Sequence, residues 1–297
     1  MNIFTIIVTY NGQKWVDFCL GSLRQSTIPA TPIVIDNCST DGTTQYIAKK
    51  YPEAIIFEQK KNLGFGQANN VGIRYALEHN ADYVLLLNQD AAIAPDMLEL
   101  CLAQSDDMSL LSPVHMNGDG TRVDHSFREN TLIKCPDLIN DVFANTIKKN
   151  YICSEICAAC WLMPISIIKN IGGFNPLFFH YAEDNNYYHR LLYHNIPIRL
   201  IPAAKMYHDR VEYGNLELYN EQWLTNILKL VATNINLTAK QRIIQYTHIL
   251  WQCYQYLLPK KQYKFGAFFI QLCKLFLNHR EIRSSRFMER QKNTTHL

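Results

Sequence analysis

Asn88 and Asp90 stand directly after Tyr83-Val84-Leu85-Leu86-Leu87, an uninterrupted apolar run suited to a strand buried on both faces of a parallel sheet. A carboxylate at the end of such a strand lies where open α/β sheets bind ligands. A hard oxygen donor there can hold a divalent cation against a substrate's phosphates. A lone Asn-Gln-Asp is ordinary turn chemistry, so its weight comes from repetition. Phe4-Thr5-Ile6-Ile7-Val8-Thr9 stops at Tyr10-Asn11-Gly12, and Pro32-Ile33-Val34-Ile35 stops at Asp36-Asn37-Cys38-Ser39-Thr40-Asp41-Gly42-Thr43. Each apolar strand delivers polar groups to one edge.

The elements needed to position these residues follow in order. The loop after Asp36 can cap a helix over residues 43–51, residues 54–57 read as a short strand, and residues 62–70 lead into a helix reaching about Asn80. That is β-α-β-α-β-α-β. Beyond Gly214 the pattern turns helical, over 216–236, 241–258 and 263–279, with Pro259-Lys260-Lys261 as a break.

Together the opening Thr9-Tyr10-Asn11, the Asp36 to Thr43 loop, the Asn62 to Gly72 segment and the Asn88-Gln89-Asp90-Ala91 turn resemble the family 2 glycosyltransferases, in order and in spacing. A fifth match is Gly172-Gly173-Phe174-Asn175-Pro176-Leu177-Phe178-Phe179-His180-Tyr181-Ala182-Glu183-Asp184 with the later Arg190, and the resemblance covers roughly the first 210 residues. It implies an α/β, GT-A fold: a Rossmann-like, mostly parallel central sheet with flanking helices. Nucleotide-sugar binding and catalysis are then expected in residues 1–213, with a C-terminal helical region over 214–297. The Asn62 to Asn70 version is similar to that of bacterial rhamnosyltransferase-like members.

The resemblance and the side-chain chemistry point to the same positions. Thr9, Tyr10, Asn11, Asp36, Asn62, Gly64, Asn70 and Asn88 are expected on the donor side, where Asp36 can accept from a uracil or thymine imide N–H and Asn88 can bond ribose. Asp90 is the expected ligand of Mg²⁺ or Mn²⁺, with His208 as a further contact. Asp184 is the expected general base, and Trp161, Glu183 and Arg190 fall on the acceptor side. Two departures from the family pattern shift the burden onto the cation. Asn88 replaces the first Asp of an Asp-x-Asp, and Asn69 stands where many relatives carry an Arg.

The implied activity is an inverting transfer from a TDP-rhamnose-like or UDP-hexose donor to a hydroxyl of a glycan or lipid-linked acceptor in bacterial surface polysaccharide synthesis. A non-catalytic nucleotide-sugar-binding module is the alternative from another class. A more remote one, a radical S-adenosylmethionine iron-sulfur enzyme, rests on the spacing of Cys153, Cys157 and Cys160. Nine cysteines fit reduced thiols, and the N-terminal apolar stretch reads as a strand without a basic leader, so a cytoplasmic location is expected. No nucleic-acid partner is expected. The net charge of +3 conceals ten Lys or Arg against two Glu in residues 241–297. Aromatic residues are interleaved there, which suits peripheral contact with the inner face of the membrane, a packed hairpin or a homodimer interface.

Overall fold

The computed structural model describes residues 1–210, 221–257 and 278–297. Its sheet begins with four parallel strands, β1 (Ile3–Thr9), β2 (Thr31–Asp36), β3 (Ile55–Glu58) and β4 (Tyr83–Leu87), in the spatial order β3-β2-β1-β4. Helices α1 (Val16–Arg24), α2 (Thr43–Lys50) and α3 (Gly64–Glu78) connect them. Successive side chains of a strand point to opposite faces. Accordingly Ile6, Ile33, Ile35, Val84 and Leu86 enter one core, with α3, while Ile7, Val34, Leu85 and Leu87 enter the other, with α1 and α2. Continuous apolar runs are what burial on both faces demands.

Beyond β4 the sheet becomes mixed. The short strand β5 (Ala91–Ile93) precedes α4 (Met97–Leu102), β6 (Leu110–Asn117), α5 (Pro136–Ala144), β7 (Tyr151–Cys153) and β8 (Cys160–Pro164). After α6 (Ile165–Ile171) and α7 (Glu183–Tyr193) comes the long β9 (Ile198–His208). β8 runs antiparallel to β4, β6 joins β8 to β9, and β9 pairs with β7 at its start and β5 at its end.

The C-terminal helices differ in part from expectation. α8 (Glu221–Thr233) and α9 (Ala239–Leu257) are present, the expected helix over 263–279 falls largely outside the described residues, and α10 (His279–Glu289) was not foreseen. Ile282, Ser285 and Glu289 of α10 are buried, and Asn175 Nδ2 donates to Ser285 Oγ at 2.8 Å and to Glu289 Oε1 at 2.7 Å. Gly173 N–H donates to the Thr295 carbonyl at 2.9 Å, and Leu297 packs on the sheet's core. Residues 278–297 therefore return to the α/β body. Most of the apolar and basic side chains proposed for the membrane lie in residues 258–277, outside the described residues; Trp251 of α9 is exposed. Among the described residues no helix is long and apolar enough to cross a membrane.

Candidate active site

The parallel strands end together, and a cleft of about 410 Å³ opens beyond them. It is lined by Val8, Tyr10, Asn37, Asn62, Gly64, Phe65, Asn88, Gln89, Asp90, Phe179 and His180. Thr9 and Asp36, expected on the donor side, are buried and do not line it: Thr9 Oγ1 donates to Asp36 Oδ1 at 3.0 Å and Ser39 N–H donates to Asp36 Oδ2 at 2.9 Å. Asn37, absent from the expected set although adjacent to Asp36, reaches the cleft. Its amide brackets the opposite wall, with Nδ2 donating to the Gly64 carbonyl at 3.2 Å and Oδ1 accepting from Leu63 N–H at 3.2 Å. Asn11 braces the neighbouring loop, accepting from Thr40 N–H at 2.9 Å.

Gln89 clamps the Tyr10 peptide from both sides, accepting its N–H at 2.9 Å and donating to its carbonyl at 3.4 Å. The Tyr10 ring is left half exposed beside the cleft. Gly64 has φ +77, and a Cβ there would collide with the Phe179 carbonyl oxygen. Only glycine tolerates both that conformation and that approach. The Asn62 side chain sets the turn by accepting from Gly64 N–H at 2.8 Å.

The cation-binding candidates come from distant sequence. β5 and β9 pair so that Ala91 faces His208, and Asp209 N–H donates to the Asp90 carbonyl at 2.8 Å. His208 Nε2 then lies 3.2 Å from Asp90 Oδ1 and 3.5 Å from Asn88 Nδ2. Two ligands in adjacent octahedral positions at ~2.1 Å from a cation stand ~3 Å apart, so an Asp90 oxygen and an imidazole nitrogen at this separation fit Mg²⁺ or Mn²⁺. Among the described residues no third His, Cys, Asp or Glu joins them as a ready-made cage. The remaining positions suit diphosphate oxygens and water.

Asp184 opens into a separate cavity of about 140 Å³, lined by Asn130, Glu155, Ile156, Cys157, Asp184, Asn185 and Tyr188. Burial pushes its carboxyl above the usual carboxylate range, opposed by N–H donation from Asn185 and Ala158. The next residue, Ala159, offers its carbonyl to Asn88 N–H at 3.0 Å, so residues 157–159 run from the lining of the Asp184 cavity to the Asn88 turn. Glu183 is buried with Oε2 unpartnered among the described residues, and burial together with the Asp184 charge pushes it up to about 8.

Several expected site residues lie elsewhere, which corrects the acceptor-side reading. Trp161 is wholly buried in β8 and stacks on Phe174 with centroids 6.2 Å apart. Arg190, also wholly buried, donates to the Ile171 carbonyl at 2.7 Å and to the Gly173 carbonyl at 2.7 Å and 2.6 Å. A guanidinium so placed satisfies backbone carbonyls rather than an acceptor. Asn70 likewise grips Phe174, accepting its N–H at 2.7 Å and donating to its carbonyl at 2.8 Å. Asn69 turns back to the Phe65 carbonyl at 3.0 Å. Cys153, Cys157 and Cys160 are free thiols, the first in β7, the second beside Asp184 and the third in β8, each in a different element.

A sheet of this order, with polar residues at the ends of parallel strands and a cleft above them, defines the class of open α/β folds that bind ligands at the carboxyl ends of their strands. The profile of the family described as Glycosyl transferase family 2 matches residues 5–172, and the chain belongs to that family. The low-salt glycan biosynthesis hexosyltransferase Agl10 of Haloferax volcanii is 27% identical over 239 residues, 77% of each chain. The dTDP-rhamnosyl transferase RfbF of Shigella flexneri is 22% identical over 210 residues, covering 70% of this chain and 69% of its own. The mannosyltransferase PcManGT of Pyrobaculum calidifontis, solved with GDP-Man and Mn²⁺, superposes with a TM-score of 0.58 at 15% identity. The match covers 97% of this chain and 84% of that one. The fold is GT-A, with C-terminal helices appended.

Proposed function

We propose that this glycosyltransferase moves a sugar from a nucleoside diphosphate donor to a hydroxyl of a glycan or lipid-linked acceptor, by a single displacement that inverts the anomeric carbon. The observation that carries the reading is the Asp90–His208 pair at the edge of one cavity with Asp184 opening onto another, the 157–159 segment touching both the Asp184 cavity and the Asn88 turn. Tyr10, Phe65 and Phe179 offer ring surface to the nucleoside, and the amides of Asn37, Asn62 and Asn88 offer hydrogen bonds to ribose and phosphate. A TDP-rhamnose-like donor is favoured by the named activity of the dTDP-rhamnosyl transferase relative and a hexose donor by that of the hexosyltransferase relative, with UDP-hexose as the second candidate. The name of the Agl10 relative favours a place in glycan biosynthesis.

In the reaction Asp184 takes the acceptor hydroxyl proton as that oxygen bonds to the anomeric carbon and the bond to the departing diphosphate breaks. Glu155, Asn130, Asn185 and Tyr188 around Asp184 match the hydroxyls of a neutral sugar. Asn185 already donates to Glu155 Oε1 at 3.2 Å and to Tyr188 Oη at 2.9 Å, which holds these groups in place. Asp90 and His208 would hold Mg²⁺ or Mn²⁺, whose positive charge would stabilise the leaving diphosphate. Because burial raises Asp184, activity should rise with pH as this carboxyl ionises.

Peripheral contact with the inner face of the membrane through residues 241–297 belongs to the same reading, on the strength of their ten Lys or Arg against two Glu. The experiment for the whole is to incubate the protein with UDP- and TDP-sugars, Mn²⁺ or Mg²⁺ and glycan acceptors, and to measure nucleoside diphosphate release and the product's anomeric configuration. Donor binding without release under every combination would replace catalysis by the binding-module alternative. A product that keeps the donor's configuration would overturn single displacement.

A further inference from the structure

Asp124 belongs to none of the strand-end motifs, yet it stands directly behind the cation-binding edge. β6 and β9 run parallel with Asn117 opposite His208, and the turn after β6 folds back so that Asp124 N–H donates to the His115 carbonyl at 2.9 Å. Asp124 is 3% exposed, and its Oδ2 faces His208 Nδ1 at 3.8 Å. That Nδ1 is buried and has no hydrogen-bond partner among the described residues, whereas Nε2 faces Asp90. His208 thus lies between two carboxylates, one open to the cleft and one inside the protein.

The inner carboxylate is placed independently of the histidine. Arg210 grips it with Nε at 3.0 Å from Oδ2 and Nη2 at 2.6 Å from Oδ1, and Phe127 N–H donates to Oδ1 at 2.9 Å. Asp124 is held below the usual carboxylate range by these bonds against the opposing effect of burial. His115 on the far side is wholly buried, and burial pushes it down to about 3, so it brings no competing positive charge. A carboxylate is only an acceptor. A proton on His208 Nδ1 is therefore favoured by Asp124, which leaves the Nε2 lone pair for a cation. Histidine ligands usually have such a partner on their second nitrogen.

We propose that Asp124 is a positioning residue: through His208 Nδ1 it fixes the tautomer and the ring so that Nε2 stays turned to Asp90 and the cation. The inference rests on the reading of Asp90 and His208 as cation ligands. At 3.8 Å the Asp124–His208 contact is an ionic approach, and a shift of less than 1 Å closes it to a hydrogen bond. The purely structural alternative has Asp124 serve only as the partner of Arg210.

A double-mutant cycle separates the two. Mn²⁺ affinity is measured on the full chain by the loss of the free-Mn²⁺ EPR signal, with Mn²⁺ alone and again with UDP or TDP, for wild type, Asp124→Asn, His208→Ala and the double variant. Circular dichroism and thermal unfolding report on folding. Asp124→Asn should weaken Mn²⁺ binding about 10- to 100-fold, the usual effect of removing such a partner. In the His208→Ala background the same change should cost nothing further, because its route to the cation is gone. Unchanged affinity in folded Asp124→Asn, or additive losses in the cycle, would overturn the positioning role. Unchanged affinity in His208→Ala would instead sink the ligand reading on which it rests. If Asp124→Asn does not fold, Arg210→Gln, which loosens the Asp124 carboxylate from its other side, takes its place in the cycle, and additivity again overturns the proposal.

Discussion

The cleft at the strand ends, the proposed donor side, and the Gly173 to Asp184 segment, the proposed acceptor side, are built in opposite ways. On the donor side Thr9, Asp36 and Asn88 each follow directly from an apolar parallel strand, so the sheet places them at one edge with little further support. On the acceptor side the chain around Gly173 to Asp184 is held by contacts from far away: Asn70 on Phe174, Glu289 on Asn175, and Thr295 on Gly173. The buried Arg190 guanidinium ties the Ile171 and Gly173 carbonyls together, with Nη1 3.9 Å from Glu289 Oε1. The proposed donor side is a sheet edge lined by polar groups. The Gly173 to Asp184 segment is a loop held by a buried polar network, so substitutions in the first should damage function and substitutions in the second should damage stability.

The largest effect should come from Asp90→Ala. The side chain is partly exposed at the cleft, so the fold should survive while activity falls by about 10³-fold or more, the size of losing cation-based charge stabilisation. Calorimetry should show donor binding that no longer responds to Mn²⁺ or Mg²⁺; a folded variant with unchanged cation-supported binding rules Asp90 out as a ligand. Asp184→Asn should preserve donor binding and slow transfer by about 10²- to 10⁴-fold. Transfer at near wild-type rate would move attention to Glu183.

Arg190→Met tests the other side of the comparison. Removing one member of a buried ionic network leaves its partners unpaired, and a loss of about 3–5 kcal/mol in urea unfolding is expected. A variant of wild-type stability with weakened acceptor binding would restore Arg190 to the acceptor site. Glu183 gives a pH signature. Raised to about 8 in the fold from an ordinary 4.5, it binds more protons folded than unfolded, so its contribution is full below about 4.5 and lost as pH climbs towards 8. Glu183→Gln should abolish this part of the decline in stability, on the order of a few kcal/mol, and an unchanged pH dependence would contradict the shift.

The smallest effect concerns residues 241–297, where each basic side chain near an anionic leaflet gains about 1 kcal/mol. Cosedimentation with anionic liposomes should weaken at high salt through screening and be absent with neutral ones. Equal binding to both kinds of vesicle would remove the electrostatic membrane reading.

Much of the donor half was legible because its signals are local. An apolar run followed by Asp or Asn specifies both a buried strand and what stands at its end, and the observed β2, α2 and β4 agree closely with the residues expected for them. The acceptor half misled for the opposite reason. Trp161, Glu183 and Arg190 carry groups that suit substrate contact, but all three are buried, and the Trp161 ring and Arg190 guanidinium have structural partners inside the protein. Asn130, Glu155 and Tyr188, which surround Asp184, have no distinctive spacing by which sequence could find them.

By itself the sequence determined the strand-helix alternation, the two-faced burial of the parallel strands and the carboxylates at their ends, since hydrophobic periodicity and strand termination are properties of neighbouring residues. Tertiary structure alone decided that β9 pairs with β5, which sets His208 against Asp90, and that the turn after β6 slides Asp124 behind it. It also decided that residues 278–297 return to brace the Asp184 segment. These meetings join residues from 80 to more than 100 positions apart, and what fixes them is sheet register and the satisfaction of buried polar groups, neither of which is encoded in any short stretch of chain.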